Sequence, residues 1–233
     1  MFRWQNTFAA FRHPNYRLFF AGQLVSVIGS WLQQVAMGWL VYEMTHSTVT
    51  LGVVRFAGAI PVTLLTLVAG TLADRVSKRR VVIYTEAAAM LLAFGLAALV
   101  FFGVIQIWHI ILISFLEGIT DAFDIPTRQS FIVEIVGKED LMNALALNSS
   151  LFNGARSVGP ALAGILIAVV GMAGCFFVNG LSYLAVVGAY LAMRLPAQPV
   201  RVEGQSMWRE TLEAQGMSAA SACCARSLPR SRS

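Results

Sequence analysis

Charged residues are scarce in this 233-residue chain, since only 12% of its residues are Asp, Glu, Lys or Arg. A typical soluble domain has about 25% charged and about 45–50% apolar residues, whereas 57% of this chain is hydrophobic. Apolar runs longer than about 18 residues recur along it, which is the length that a helix needs to cross a bilayer. The scarcity of charge therefore excludes an ordinary water-soluble domain and favours an integral membrane protein.

Cysteine and the common catalytic motifs are also scarce or missing. Cys175, Cys223 and Cys224 do not suggest a disulfide framework, because two are adjacent and the first lies at a predicted membrane boundary. The sequence has no G-x-x-x-x-G-K-[ST] phosphate loop and no G-x-S-x-G nucleophile elbow. Its three histidines lack metal-ligand spacing. We therefore expect a protein that is not an enzyme and that has no metal site and no cofactor.

Hydropathy predicts six membrane-spanning helices. They lie at about Leu18–Val41, Leu51–Ala73, Val81–Val104, Ile107–Phe123, Ala144–Val170 and Cys175–Met193. The first, third and fifth connections contain no Lys or Arg, whereas the other two connections and both termini are basic. Because Lys and Arg collect in cytoplasmic loops, this alternation predicts that both termini are cytoplasmic. The net charge of +5 then requires no nucleic-acid partner.

The chain divides into residues 1–195, the predicted six-helix bundle, and residues 196–233, which we expect to be a disordered cytoplasmic tail. After Glu213 the sequence is a mixture rich in Ala, Ser, Cys and Arg without periodicity. Two interpretations stay open for this segment. It is either a natural tail or the out-of-frame end of a longer protein that was cut short.

Several charged residues fall within predicted spans. Glu117, Asp121 and Asp124 stand at i, i+4 and i+7, which places them on one face of the fourth helix. A charge at the bilayer centre costs about 2.5–3.5 kcal/mol on insertion scales, so this face is expected to avoid lipid. Asp124 alternatively ends the helix near the cytoplasmic surface. Arg55 and Arg156 are basic residues within spans, and the estimated depths predict that Arg156 points inward and pairs with Glu117.

A polar stripe runs along the first predicted helix. Gln23, Ser26, Ser30 and Gln33 are separated by three or four residues and therefore share one face. Such a stripe forms either a hydrogen-bonded contact between helices or a surface that contacts a substrate. The sequence leaves both interpretations open.

The segment Gly70–Val82, GTLADRVSKRRVV, resembles the major facilitator superfamily signature G-x-L-A-D-R-x-G-R-K-x-x-L. It departs from the signature at Ser77 and Val82. The resemblance implies a gating motif in which the glycine allows two helices to approach and the aspartate docks on the opposite half of the transporter. The residues expected to form it are Gly70, Asp74, Arg75, Lys78 and Arg79. The positive-inside rule alone also explains the basic residues Lys78–Arg80.

Two further segments, GITDAFDIPTRQS from Gly118 and NGARSVGPALAG from Asn153, are similar to one branch of the superfamily. That branch contains siderophore and macrolide exporters, which are transmembrane secretion effectors or type 3 drug:proton antiporters. The resemblance implies that Gly159, Pro160 and Gly164 pack the fifth helix. Ser114 stands where drug antiporters often have an arginine, so the resemblance does not extend to proton coupling through that residue.

The resemblance covers about residues 10–200 and implies an all-α membrane protein with one six-helix half of a twelve-helix fold, built from two inverted three-helix repeats. It implies a secondary transporter, in half or truncated form, that exports a small organic molecule across the bacterial inner membrane with proton coupling. The alternative is a non-transporting membrane interaction protein or a remnant of a split twelve-helix transporter.

In the family, the first and fourth helices line a central cavity. The candidate residues for a substrate or ion pathway are Gln23, Ser30, Gln33, Arg55, Glu117, Asp121 and Arg156. The expected partners are a small-molecule substrate, protons, membrane lipid and either a second six-helix half or a second copy of the chain.

Overall fold

The structure is a computed structural model that describes residues 8–73 and 76–193. Every regular element in these two ranges is helical. After a short 3-10 helix, Ala9–Arg12, the elements are α1 (Pro14–Thr45), α2 (Thr48–Ala73), α3 (Lys78–Phe101), α4 (Ile107–Val136) and α5 (Leu141–Ala192). The last element is interrupted at Gly171, whose φ of 70° and ψ of 179° are not helical. It therefore consists of two helical segments, residues 141–170 and 172–192.

The helix ends follow local sequence signals. Pro14 occupies the first turn of α1, where its missing N–H needs no partner. His46 ends that helix in the left-handed conformation, and its N–H bonds to the Tyr42 carbonyl. Gln106 and His109 form a capping box at the start of α4. Gly137, with φ of 71°, follows its last residue.

Four helices in the described ranges are long and apolar enough to cross a membrane. Their spans are Pro14–Thr45, Thr48–Thr66, Lys78–Phe101 and Leu141–Ala192. The fourth helix, α4, is not among them and carries the three acidic residues Glu117, Asp121 and Asp124. The prediction of an all-helical membrane protein is confirmed, whereas six separate spans and the inverted repeat stay predictions.

The boundary predicted for the fourth helix is wrong. Hydropathy ends this helix at Phe123, but α4 continues past Pro126 to Val136. The extra turns bury Phe131, Ile132 and Ile135 against α1 and α5, so packing rather than a continuous apolar run maintains the helix there. Hydropathy alone does not detect such an amphipathic extension.

The helices pack so that α1 lies against α5, α2 against α4, and α3 against both α4 and α5. Buried apolar side chains form one small cluster, Val27, Leu151 and Ala155, and two large ones. One of the large clusters contains residues from the amino end of α1, the carboxyl end of α4 and the carboxyl end of α5, such as Phe19, Phe131 and Tyr190. The other lies towards the opposite ends of these helices and includes Leu40 and Ile110. The stretches between the two clusters contain the polar residues.

Candidate functional site: a polar cavity between two apolar clusters

A cavity of about 640 Å³ lies within the bundle and is lined by all five helices. Its wall combines apolar side chains with an unusual number of polar and charged ones for a membrane protein. The polar lining residues are Ser26, Ser30, Gln33, Gln34, Arg55, Thr63, Thr85, Glu86, Ser114, Glu117, Thr120, Asp121, Asp124, Arg128, Asn179 and Tyr183. On α1, α3, α4 and α5 these residues occupy the stretch between the two large apolar clusters. The cavity therefore lies between those clusters.

The buried charges at one end of the cavity meet at Arg128. We call Gln23, Glu86, Asp124 and Arg128 the Arg128 cluster. The guanidinium donates to Gln23 Oε1 at 2.5 Å and to Glu86 Oε1 at 3.0 Å, and it also bonds to Asp124. Glu86 is 2% exposed and Asp124 is 5% exposed. Four side chains from α1, α3 and α4 are thus joined by charge-assisted hydrogen bonds, which are stronger than neutral ones.

Neighbouring polar groups extend this cluster. Gln23 donates from Nε2 to the Tyr190 hydroxyl at 3.2 Å, which adds a contact with α5. Thr85 donates to the second oxygen of Asp124 at 3.0 Å. The alternative prediction for Asp124 is that it ends its helix, but it is buried in the middle of α4 and both its carboxylate oxygens accept hydrogen bonds. The helix-end interpretation is therefore wrong.

A second polar group lies further along the cavity. Gln33 donates to the Glu117 carboxylate and accepts a hydrogen bond of 2.8 Å from Asn179. Ser182 extends this series of hydrogen bonds by donating to Asn179 Oδ1 at 3.0 Å. The group connects α1 with α4 and with the second segment of α5. Part of the α1 stripe therefore forms helix contacts, while the same residues also line the cavity.

Two charged residues of the cavity are exposed rather than buried. Arg55 on α2 and Asp121 on α4 both line the cavity, yet both residues are exposed. Arg55 donates to the Gln34 carbonyl at 3.3 Å. Ser30 and the Tyr183 hydroxyl approach each other at 3.5 Å on the opposite wall. The cavity is consequently open on the side of α2 and α4.

The predicted pair between Glu117 and Arg156 does not form. Arg156 is exposed and does not line the cavity, and it has no ion pair among the described residues. Glu117 instead accepts a hydrogen bond from Gln33. Counting residues along a helix estimates the depth of each side chain but not the rotation of the helix about its axis. Arg156 is therefore removed from the candidate pathway.

The structure describes only part of the predicted gating motif, because Asp74 and Arg75 lie outside the described residues. Lys78 forms an ion pair of 2.7 Å with Glu134 near the end of α4. Arg79 donates to the carbonyls of Tyr190 and Leu191 at the end of α5. No described atom lies within 4 Å of a Cβ built on Gly70. The basic residues of the motif thus connect α3 with two other helix ends.

Of the predicted packing residues in the fifth helix, Gly159 makes a close contact. A Cβ built on this glycine would lie 2.6 Å from the Trp31 Cβ, so only a hydrogen fits there. Pro160 and Gly164 are exposed, and no described atom comes within 4 Å of a Cβ at Gly164. Gly159 therefore lets the first segment of α5 pack closely on α1, and Gly29 does the same for the second segment, since a Cβ there would overlap with Ser182 Oγ.

Sequence reasoning does not identify Arg128 and Glu86 as site residues. It places Arg128 in a basic cytoplasmic loop, because the fourth helix is predicted to end before it. It does not single out Glu86, which lies within the third predicted span, Val81–Val104. The spacing of Asp124 and Arg128, four residues apart, would indicate an ion pair on a longer helix. Among the described residues, no His, Cys, Asp and Glu side chains group as metal ligands.

A family model described as transmembrane secretion effector matches residues 5–231 of the chain. The chain belongs to this family. The family consists of major facilitator superfamily transporters and not of enzymes. The branch of the superfamily expected from the sequence motifs is thereby confirmed.

The chain has curated relatives that are named as a transporter, an efflux pump and an exporter. It is 31% identical to the Staphyloferrin A transporter of Staphylococcus aureus over 172 residues, which is 73% of this chain and 43% of the relative. It is 28% identical to the multidrug efflux pump Tap of Mycolicibacterium fortuitum over 202 residues, 83% of this chain and 46% of the relative. It is 28% identical to the enterobactin exporter EntS of Salmonella typhimurium over 163 residues, which is 69% of this chain and 39% of the relative. The chain spans about half the length of the curated relatives it matches.

Proposed function

We propose that this chain is one half of a secondary transporter that exports a small organic molecule across the bacterial inner membrane. Export is coupled to protons, and both termini of a six-span bundle face the cytoplasm. The single observation that carries the proposal is the cavity of about 640 Å³, whose polar lining residues lie between the two large apolar clusters. Intramembrane ionisable residues that face a cavity are typical of substrate and proton pathways. The names of the relatives agree with export of small organic molecules.

The cavity offers both apolar and polar contacts to a ligand. Met37, Val54 and Trp31 contribute apolar surface, while Glu117 and Asp121 contribute carboxylates. Small-molecule sites usually combine a mainly apolar wall with a few polar groups that orient the ligand. We therefore infer that the ligand lies between α1, α2 and α4. Glu117, which Gln33 positions, contacts its polar groups.

A second six-helix bundle is needed to close this cavity. Arg55 and Asp121 line it but are exposed, and a charge that faced lipid at this depth would be costly. Alternating access also requires two bundles that move about a central site. The second bundle is either a second six-helix half or a second copy of the chain.

The first segment of α5 provides a surface for this bundle. Several exposed polar residues lie on one side of it, and three of them already bond to carbonyls of their own helix. The residues are Ser149, Ser150, Asn153, Arg156 and Ser157. Small polar residues favour close contacts between membrane helices over contacts with lipid. We therefore assign this polar face of α5 to the second bundle.

The alternative function is a membrane interaction protein that binds a partner without transporting anything. It is favoured by the exposed polar face of the first segment of α5, which offers a contact surface to a partner helix. An interaction protein needs the outer faces of the bundle but not the charges inside the cavity. The two functions therefore differ in their dependence on Glu117.

An efflux assay separates them. Cells of a hypersensitive host that express the full chain are loaded with a panel of fluorescent organic compounds, and their retention is measured. We expect faster, protonophore-sensitive loss of at least one compound from the wild type, and loss of this activity in Glu117→Gln. Glu43→Gln is the matched control, because Glu43 is exposed, bonds only to Trp39 among the described residues and lies outside the cavity. Retention equal to that of empty-vector cells, with the chain inserted and assembled with a second bundle, would favour the alternative.

A further inference from the structure

The Arg128 cluster contains more negative than positive charge. Glu86 and Asp124 are two carboxylates that face one guanidinium, and all three groups lie inside the bundle. If both acids were ionised, the cluster would have a net charge of −1 at a depth where isolated charges are strongly disfavoured. One additional positive charge would make the cluster neutral.

The structure also shows where this charge fits. Asp124 accepts hydrogen bonds at both oxygens, from Arg128 and from Thr85. Glu86 accepts one at Oε1, whereas its Oε2 is buried and has no hydrogen-bond partner in the part of the chain that the structure describes. Because hydrogen bonds to the ionised form stabilise that form, Asp124 is the better-stabilised carboxylate of the two. Glu86 is the carboxylate with a vacant oxygen.

The other charged and polar groups around Glu86 do not supply the missing charge. From α1 it faces Gln23, from α4 it faces Asp121, Asp124 and Arg128, and from α5 it faces Tyr190. Asp121 adds another negative charge, and Gln23 and Tyr190 are neutral. The vacant oxygen is fully buried, so an organic cation in the cavity does not reach it. A proton binds directly to the oxygen and needs no open space beside it.

We propose that Glu86 is the proton-binding residue of this chain. A proton adds to Oε2, the carboxyl becomes neutral, and Arg128 then pairs with Asp124 alone. When the proton leaves, Glu86 and Asp124 compete for the same guanidinium, which also bonds to Gln23. Proton binding on α3 thereby changes the contacts among α1, α3 and α4. The assignment rests on the proposed function, because it identifies the residue through which export is coupled to protons.

Infrared spectroscopy tests the assignment without a transport substrate. The purified full chain in lipid nanodiscs is measured at neutral pH, where a protonated carboxyl and an ionised carboxylate absorb at separate frequencies. We expect a protonated-carboxyl band in the wild type that is reduced in Glu86→Gln and unchanged in Glu43→Gln. A size-exclusion profile shows whether each variant is folded. Since Glu86→Gln could fail to fold, Glu86→Asp is the second variant, and we expect it to move the band to another frequency.

Three outcomes overturn the assignment. They are a wild type without a protonated-carboxyl band, a band of equal size in Glu86→Gln, and a band of unchanged frequency in Glu86→Asp. The result is also independent of the proposed function. A band that depends on Glu86 in a chain without efflux supports proton binding and contradicts export. Efflux together with a band that does not depend on Glu86 supports export and contradicts this residue.

Discussion

Arg128 Nη2 and Glu86 Oε1 lie 3.0 Å apart, although the two residues are separated by 42 positions in the sequence. The contact joins α4 to α3 among the polar residues that line the cavity. Gln23 adds α1 to the same guanidinium. In the absence of water these contacts satisfy polar groups that would otherwise be unpaired. The Arg128 cluster is therefore both a structural connection and the place where a change of charge affects several helices.

The first prediction concerns stability. Arg128→Gln leaves Asp124 as a buried charge without its partner, and removal of one partner of a buried ion pair costs about 3–5 kcal/mol. Lys78→Gln is the matched control, because the Lys78–Glu134 pair is partly exposed and such pairs contribute about 0–1 kcal/mol. Thermal unfolding in detergent, followed by size-exclusion chromatography, measures both. Equal losses in the two variants would contradict the importance of the Arg128 cluster.

The second prediction concerns helix packing. In Gly159→Ala the new methyl group would lie 2.6 Å from the Trp31 Cβ, so α1 and α5 must separate, and overpacking of this kind costs about 1–3 kcal/mol. Gly164→Ala adds the same atom to the same helix where no described atom lies within 4 Å. We expect Gly159→Ala to lower the melting temperature and Gly164→Ala to leave it unchanged. A larger effect at Gly164 would show that the helix faces a different neighbour.

The third prediction concerns orientation. In a variant whose three native cysteines are replaced by alanine, a cysteine at Ser77 lies between α2 and α3 in the basic connection. The positive-inside rule places this connection in the cytoplasm. An impermeant thiol reagent should therefore label it in inverted membrane vesicles but not in intact spheroplasts. Labelling in intact spheroplasts would reverse the proposed topology.

The fourth prediction concerns the second bundle. A cysteine at Ser157 lies on the exposed polar face of α5, whereas a cysteine at Val169 replaces an apolar side chain that is 74% exposed. If a second copy docks on the polar face, a bifunctional thiol reagent in membranes should link Ser157→Cys chains into dimers and leave Val169→Cys chains monomeric. Dimers from Val169→Cys alone would assign the interface to another face. A failure of both would exclude a second copy as the partner.

Much of the fold is predictable from the sequence because membrane helices have a simple composition. The apolar runs indicate the helices, and the motif at Gly70–Val82 indicates the superfamily. The spacing of the α1 stripe places its polar residues on one face, and Gln23 and Gln33 are indeed buried side chains that bond to other helices. These features depend on local sequence and on the period of a helix.

Other features depend on how helices rotate and where they end. The predicted inward direction of Arg156 is wrong, because hydropathy does not determine which face of a helix meets its neighbours. The loop predicted around Arg128 is helical, because the amphipathic turns after Asp124 are stabilised by packing although they are less apolar than a membrane span. The contact between Arg128 and Glu86 joins two distant segments, and no local pattern predicts it.

Whether water fills the cavity at membrane depth is the most direct test of the proposed pathway. In the cysteine-free background, a cysteine at Asp121 lies in the cavity, and a cysteine at Leu91 replaces an exposed apolar side chain of α3 that does not line it. Their reaction with a small water-soluble thiol reagent is measured in membranes. Because the thiolate is the reactive form and apolar surroundings suppress it, we predict rapid labelling at Asp121 and little at Leu91. Equally slow labelling at both positions would contradict the pathway, because the cavity would then contain no water.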